Sequence, residues 1–134
     1  IAFLARLSTN FSPKEDKKIV FDVHDINEGS AYSSTTGVFT APIEGLYLFT
    51  VTLTTRSKDP DAYLFRNGYT VLPLFNHSED DYRQASASVV IHLLRGDRVW
   101  VDWNGGTETS VIQAKHETVF SGCLLQSYPT STTG

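Results

Sequence analysis

Between Leu46 and Thr54 side chains follow a strict period of two: Tyr47, Phe49, Val51 and Leu53 on one face, Thr50, Thr52 and Thr54 on the other. That spacing builds no amphipathic helix; it is a β-strand with one buried and one wetter side. The pattern recurs along the chain. Ile19, Phe21 and Val23 alternate with Lys18 and Asp22, and Ala87, Val89, Ile91 and Leu93 alternate with Ser86, Ser88, Val90 and His92. Val99, Val101 and Trp103 alternate with Trp100 and Asp102, which places Trp103 in the core. Val119–Leu125 is apolar on both faces apart from Ser121, so a central, doubly covered strand is expected there. Reversals punctuate these runs: Asn67-Gly68 is a hairpin signal, and Gly29, Gly37, Gly45, Gly96 and Gly105-Gly106 mark other turns. Positive φ is expected at Gly37 and Gly45. Regularly spaced strands with almost no helical pattern predict one antiparallel sandwich or barrel of about eight to ten strands.

The 134 residues suit a single domain, expected over residues 1–128, with a Ser/Thr-rich, frayed tail at 129–134. Eleven basic against fifteen acidic residues give a net charge of −4, which argues against nucleic acid as a partner. The longest apolar runs fall far short of the roughly 20 residues of a membrane span, so no insertion is expected. With no methionine at any position, Ile1 is not a translation start, and a processed protein or a domain of a longer one is expected. Cys123 is the one cysteine, inside an apolar run, and is expected as a small buried hydrophobe. Asn10-Phe11-Ser12 and Asn76-His77-Ser78 are sequons, which makes Asn10 and Asn76 candidate glycosylation sites and fits secretion.

The residues carry no enzymatic signature. His24, His77, His92 and His116 lie in separate segments without chelating spacing, and no nucleophile elbow or phosphate-cradling glycine loop occurs. The densest polar stretch is Asn76–Arg83. Glu79, Asp80 and Asp81 could hold a hard cation such as calcium, although the spacing is no EF-hand. Together with His77, Tyr82 and Arg83 they form the candidate ligand-binding loop, with stacking faces and paired hydrogen-bonding groups suited to polyhydroxylated ligands. The plain alternative is a solvated loop. Lys58-Asp59-Pro60-Asp61 reads as a turn, and residues 105–110 as a polar connection or a sugar-binding rim.

These motifs resemble the globular head of complement C1q and its relatives. The resemblance runs through Ala2-Phe3-Leu4-Ala5, Phe21-Asp22, and Asn27, Gly29 and Tyr32. It continues with Thr36-Gly37-Val38-Phe39-Thr40-Ala41-Pro42, Gly45-Leu46-Tyr47-Leu48-Phe49, the Leu94–Trp100 turn and Phe120-Ser121-Gly122. It spans roughly residues 2 to 126. It implies a ten-stranded antiparallel jelly-roll sandwich, secreted and assembled as a homotrimer. In such trimers some aromatics face neighbouring subunits, so Tyr47 and Phe49 are candidates for that interface as well as for the core. Arg83 stands near where calcium-binding members carry a carboxylate, and no Gly-X-Y collagen run precedes the head. No cofactor is expected to be required, with calcium the candidate ion.

The resemblance implies two functions. One is a pattern-recognition lectin of innate immunity that binds microbial or host glycans multivalently: polysaccharide, lipopolysaccharide or sialylated sugars. The other is a structural or signalling trimerisation head, as in collagen-type matrix proteins, cerebellin-like organisers and adipokine-like receptor ligands.

Overall fold

The computed structural model describes residues 1–10, 18–56, 62–73, 82–103, 111–112 and 118–129, with the backbone alone at 56, 82, 83 and 111. It contains two antiparallel sheets face to face, the jelly-roll arrangement expected. In chain order the strands are β1 (Ala2–Arg6), β2 (Val23–Glu28), β3 (Tyr32–Ser33), β4 (Val38–Thr40), β5 (Gly45–Arg56) and β6 (Ala62–Arg66). Then come β7 (Tyr69–Pro73), β8 (Tyr82–Leu93), β9 (Arg98–Trp103), β10 (Val111–Ile112) and β11 (Val119–Ser127).

One sheet runs β8–β5–β11–β1–β2, and the two-residue β10 extends the β11 side of β5 at Thr55 and Arg56. The other runs β3–β4–β9–β6–β7. Leaving β10 aside, the described strands are five to a sheet.

The core follows the alternation. Tyr47, Phe49, Val51 and Leu53 of β5 and Leu93 of β8 are buried, as are Val99, Val101 and Trp103 of β9 and Phe120 of β11. Ile19 and Phe21 are buried too, though they precede β2; an isolated bridge at Lys18 and Asp102 and the Ile19 amide donating to Val101 O at 2.9 Å tie this segment to β9. At the centre the Phe3 ring stacks on Tyr32 at 4.7 Å and on Phe39 at 5.3 Å and meets Phe120 edge-on at 4.9 Å. Such pairings contribute beyond the area they bury. The Tyr32 hydroxyl donates to Phe21 O at 2.7 Å, so the buried phenol keeps a partner. Burial raises its pKa well above the ordinary value.

Three expectations need correction. Gly37 has a positive φ, +77°, as predicted, but Gly45 is required by proximity: a Cβ there would lie 2.5 Å from Gln126 O. β11 is central in its hydrogen bonding, but only one of its faces is covered; Ser121 and Cys123 are half-buried on the outer side and Leu125 is 53% exposed. Cys123 is therefore a half-exposed free thiol on the surface of the sheet, because it sits in the register opposite to Phe120 and Gly122.

Candidate functional site

The outer face of the β8–β5–β11–β1–β2 sheet is built by the residues that alternate with the core. Directly opposed residues in adjacent strands share a face, so the registers assemble transverse rows. One row reads Glu28–Ala2–Cys123–Leu48–Val90, and the next Ile26–Leu4–Ser121–Thr50–Ser88. A third reads Val23–Arg6–Val119–Thr52–Ser86. Beyond the first row, Leu46 opposes His92, and Leu125 sits at a register shift in β11.

The face is therefore graded. Between Glu28 and His92 its Leu46–Leu48 end is apolar, with Val90 at 53% exposure, and Ile26, at 45%, opens the second row. The opposite end carries hydroxyls joined across the strands: Thr50 to Ser88 at 2.9 Å, Thr52 to Ser86 at 3.0 Å, and the Gln84 amide donating to Thr54 Oγ1 at 3.0 Å.

Ala2, Leu4, Leu48, Thr50, Ser121 and Cys123 line a shallow depression of about 290 Å³ in the middle. Among the described residues the charges, Glu28 at the end of the first row included, lie at its margins. Arg6 Nε donates to Asp25 Oδ2 at 3.0 Å, and His92 Nε2 lies 2.7 Å from Glu44 Oε2 with its ring 4.8 Å from that of Tyr128. An uncharged apolar stripe with polar margins is the composition of a surface that another chain covers.

The opposite sheet differs. Along its outer face the rings of Tyr63, Phe65 and Trp100 succeed one another at 6.2 and 5.9 Å, and Lys18 Nζ lies 4.9 Å above Trp100. Beside them an open groove of about 550 Å³ is lined by Lys18, Ser30, Ser33, Thr36, Thr40 and Arg98 among others. Ser30, at its lip, has φ of +53°, an unusual conformation for a residue with a side chain. The Asn27 amide fixes that turn by donating to Tyr32 O at 2.8 Å and accepting from Tyr32 N at 3.2 Å.

His77, Glu79, Asp80 and Asp81 lie outside the described residues, as do Asn76 and the segments 57–61 and 104–110. Tyr82 and Arg83 are fixed in backbone only, opposite Arg56 and Thr55 at the start of β8. Asn10 is on the surface just after β1. Among the described residues no three His, Cys, Asp or Glu side chains converge on a common point. No described helix is long and apolar enough to cross a membrane.

Tyr47 and Phe49 do not reach a subunit boundary. Both are 0% exposed within the chain's own core, where Phe39 packs edge-on against each at 5.5 and 5.2 Å. The Tyr47 hydroxyl donates to Ile43 O at 2.7 Å, and burial raises its pKa. The residues of β5 turned to the outer face are their neighbours Leu46 and Leu48, with Thr50 and Thr52 further along. The signal was present in the sequence, since these two leucines occupy the register of Thr50 and Thr52, and Val90 occupies that of Ser86 and Ser88.

Comparison with known proteins agrees with this architecture. The family model described as C1q domain matches residues 2–125. The chain is 36% identical over 123 residues to human complement C1q and tumor necrosis factor-related protein 9A, covering 87% of this chain and 36% of that protein. It is 31% identical over 130 residues to mouse complement C1q tumor necrosis factor-related protein 3, covering 93% of this chain and 51% of that one. The chain thus spans about a third to a half of these relatives. Among solved structures, the globular domain of zebrafish complement 1qA protein superposes with a TM-score of 0.80 at 19% identity, covering 95% of this chain and 98% of that one. Eiger TNF from S. frugiperda gives 0.73 at 15% identity, covering 100% and 98%. At these identities the likeness is one of fold.

Proposed function

This chain belongs to the C1q domain family, and we propose that it is a secreted, non-enzymatic head that assembles as a homotrimer and serves as a multivalent ligand for a protein receptor. The observation that carries the reading is the Ala2–Cys123–Leu48–Val90 row. It is uncharged and apolar, and among the described residues Ala2, Cys123 and Leu48 stay partly exposed and Val90 exposed. Three copies turning this face toward a common axis would bury it, with the Leu46–Leu48 end dry and the Thr50–Thr52 end wetter. A rigid trimer then presents each recognition surface three times, and avidity of about 10² to 10⁴ follows where the receptor is also clustered. The receptor-ligand version is favoured over the lectin version because the curated relatives are complement C1q and tumor necrosis factor-related proteins.

Sedimentation tests the assembly. The head should run at about three times its 14.9 kDa chain mass, and Leu48→Glu with Val90→Glu should leave a folded monomer. Cys123 should react with a charged maleimide in that variant and be protected in the native trimer. A native chain that sediments as a monomer at tens of micromolar overturns the proposal.

A lectin reading has one described feature in its favour, the groove of hydroxyls and cations beside Trp100. A glycan array probed with the trimer, in calcium and in chelator, separates the two. A blank array supports the protein-ligand reading. Selective binding overturns it, and a chelator effect would direct attention to Glu79, Asp80 and Asp81.

A further inference from the structure

β6 and β7 are joined by Asn67-Gly68, with φ of +52° and +94°, the mirror-image turn that suits the twist of a two-residue hairpin. Beside it lies the turn from β8 to β9, Leu94 to Arg98, and Asp97 locks the two together. Its Oδ2 accepts from Arg66 Nη2 at 2.8 Å and from the Leu94 amide at 2.8 Å, and its Oδ1 accepts from Asn67 Nδ2 at 3.0 Å. Asn67 reciprocates: its Oδ1 accepts from the Arg98 amide at 2.8 Å, and its own amide donates to Arg98 O at 2.9 Å. The Gly96 amide donates to Ala41 O and the Ala41 amide to Asp97 O, each at 2.8 Å, which ties the pair to the bend after β4. Burial alone would raise the Asp97 pKa, but these donors outweigh it and hold the carboxyl below its ordinary value.

This rigid base carries unusual side chains. On the first of the two turns Tyr69 is 79% exposed, and on the second Leu94 is 50% exposed and Arg95 and Arg98 are exposed. Among the described residues neither of these guanidinium groups meets a carboxylate. Asp97 is occupied from within, so it does not neutralise them. Arg66, Arg95 and Arg98 gather half of the six arginines at one end of a chain whose net charge is −4. An exposed tyrosine and two exposed arginines carried by two turns that are locked together is the composition from which interface anchors are drawn, and rigidity keeps the entropic cost of docking low.

We propose that Tyr69, Leu94, Arg95 and Arg98 form a docking epitope for an acidic polypeptide segment of the receptor, with the Tyr69 ring entering an apolar recess and the two arginines meeting carboxylates. The epitope rests on the receptor-ligand reading and gives the receptor its chemistry. Asp97 and Asn67 are positioning residues that fix the two turns against each other.

The test is a random dodecapeptide phage library panned on the native head and counter-panned on the Tyr69→Ala/Arg95→Glu/Arg98→Glu head. Sedimentation and far-UV circular dichroism first establish that both are folded and in the same assembly state. A head that is not trimeric is thereby recognised as a failure of the assembly reading rather than of the epitope. Enriched peptides should carry clustered Asp and Glu with an apolar residue. Their affinity should fall about tenfold or more with Tyr69→Ala alone and again with Arg95→Glu/Arg98→Glu. Bound peptide should also protect Tyr69 of the native head from nitration. Three outcomes overturn the proposal: peptides without acidic residues, affinities unchanged within about twofold in the variants, or no enrichment on the native head over the variant.

Discussion

Gly122 lies on the core side of β11, and its missing side chain is what lets two rings close over the strand. A Cβ at this position would sit 2.7 Å from Phe3 Cε1 and 2.8 and 2.9 Å from Phe49 Cδ1 and Cε1. Relaxed carbon contacts begin near 3.5 Å, so Gly122→Ala requires about 0.7 Å of movement from both rings at once. Neither has room. Phe3 is held by Tyr32, Phe39 and Phe120 with centroids at 4.7, 5.3 and 4.9 Å, and Phe49 packs on Phe39 at 5.2 Å. Overpacking of this kind costs about 1–3 kcal/mol, against which a stiffer unfolded chain returns about 0.4–1 kcal/mol. A net loss of about 1–2 kcal/mol is expected, or roughly 3–4 °C in Tm per kcal/mol for a chain of this length.

Urea unfolding at one fixed chain concentration measures it, since assembly shifts apparent stability with concentration. The cause is isolated by a double-mutant cycle. Phe3→Leu removes one of the two rings that the new methyl strikes, so Gly122→Ala should cost at least about 0.5 kcal/mol less in that background. A neutral Gly122→Ala, or purely additive effects in the cycle, would refute the argument that the rings define this glycine.

Other outcomes follow from the same packing and electrostatics. Phe120→Ala removes a ring that meets Phe3, Phe21, Tyr32 and Phe49, and should cost about 3–5 kcal/mol in the same urea assay; a loss below about 0.5 kcal/mol would contradict the buried assignment. Asp97 and Asp22 both titrate below their ordinary value in the fold, so their contribution is present above the unfolded carboxylate pKa, near about pH 4, and is lost as the pH falls through the folded values. Tm measured from pH 6 to pH 2 should therefore fall in acid, and Asp97→Asn should flatten that fall; an unchanged slope would show that Asp97 is not held ionised by its donors. At neutral pH the same variant should lose about 1.5–3 kcal/mol through its weakened contacts with Arg66, Asn67 and the Leu94 amide.

What the sequence revealed and what it concealed divide along a physical line. Alternation reports which residues a strand turns inward, and it placed Tyr47, Phe49, Val51, Leu53 and Trp103 in the core because burial is decided by the chain's own two sheets. It does not report what lies on the other side of a sheet. Leu46, Leu48, Val90 and Leu125 break the polar register, and alternation alone makes each a local irregularity. Their meaning appears only when the registers of β8, β5, β11 and β1 set Val90, Leu48, Cys123 and Ala2 side by side. The apolar Val119–Leu125 run misled for the same reason. Both its faces are apolar apart from Ser121, but the described residues cover only the inner one, and the outer face is the one proposed above to meet another copy.

The two locked turns show the converse limit. Asn67-Gly68 and Arg95-Gly96-Asp97-Arg98 are each legible as turns from local chemistry, because the backbone conformations they need are written in glycine and asparagine. That Asp97 reaches across thirty positions to Asn67 is not local. It follows from β9 pairing with β6, a long-range register that composition and spacing do not encode. Both surfaces proposed to carry function therefore lie where strands distant in sequence become neighbours, on one sheet face and at one end. The local pattern supplied the residues for both, and the topology decided which of them stand together.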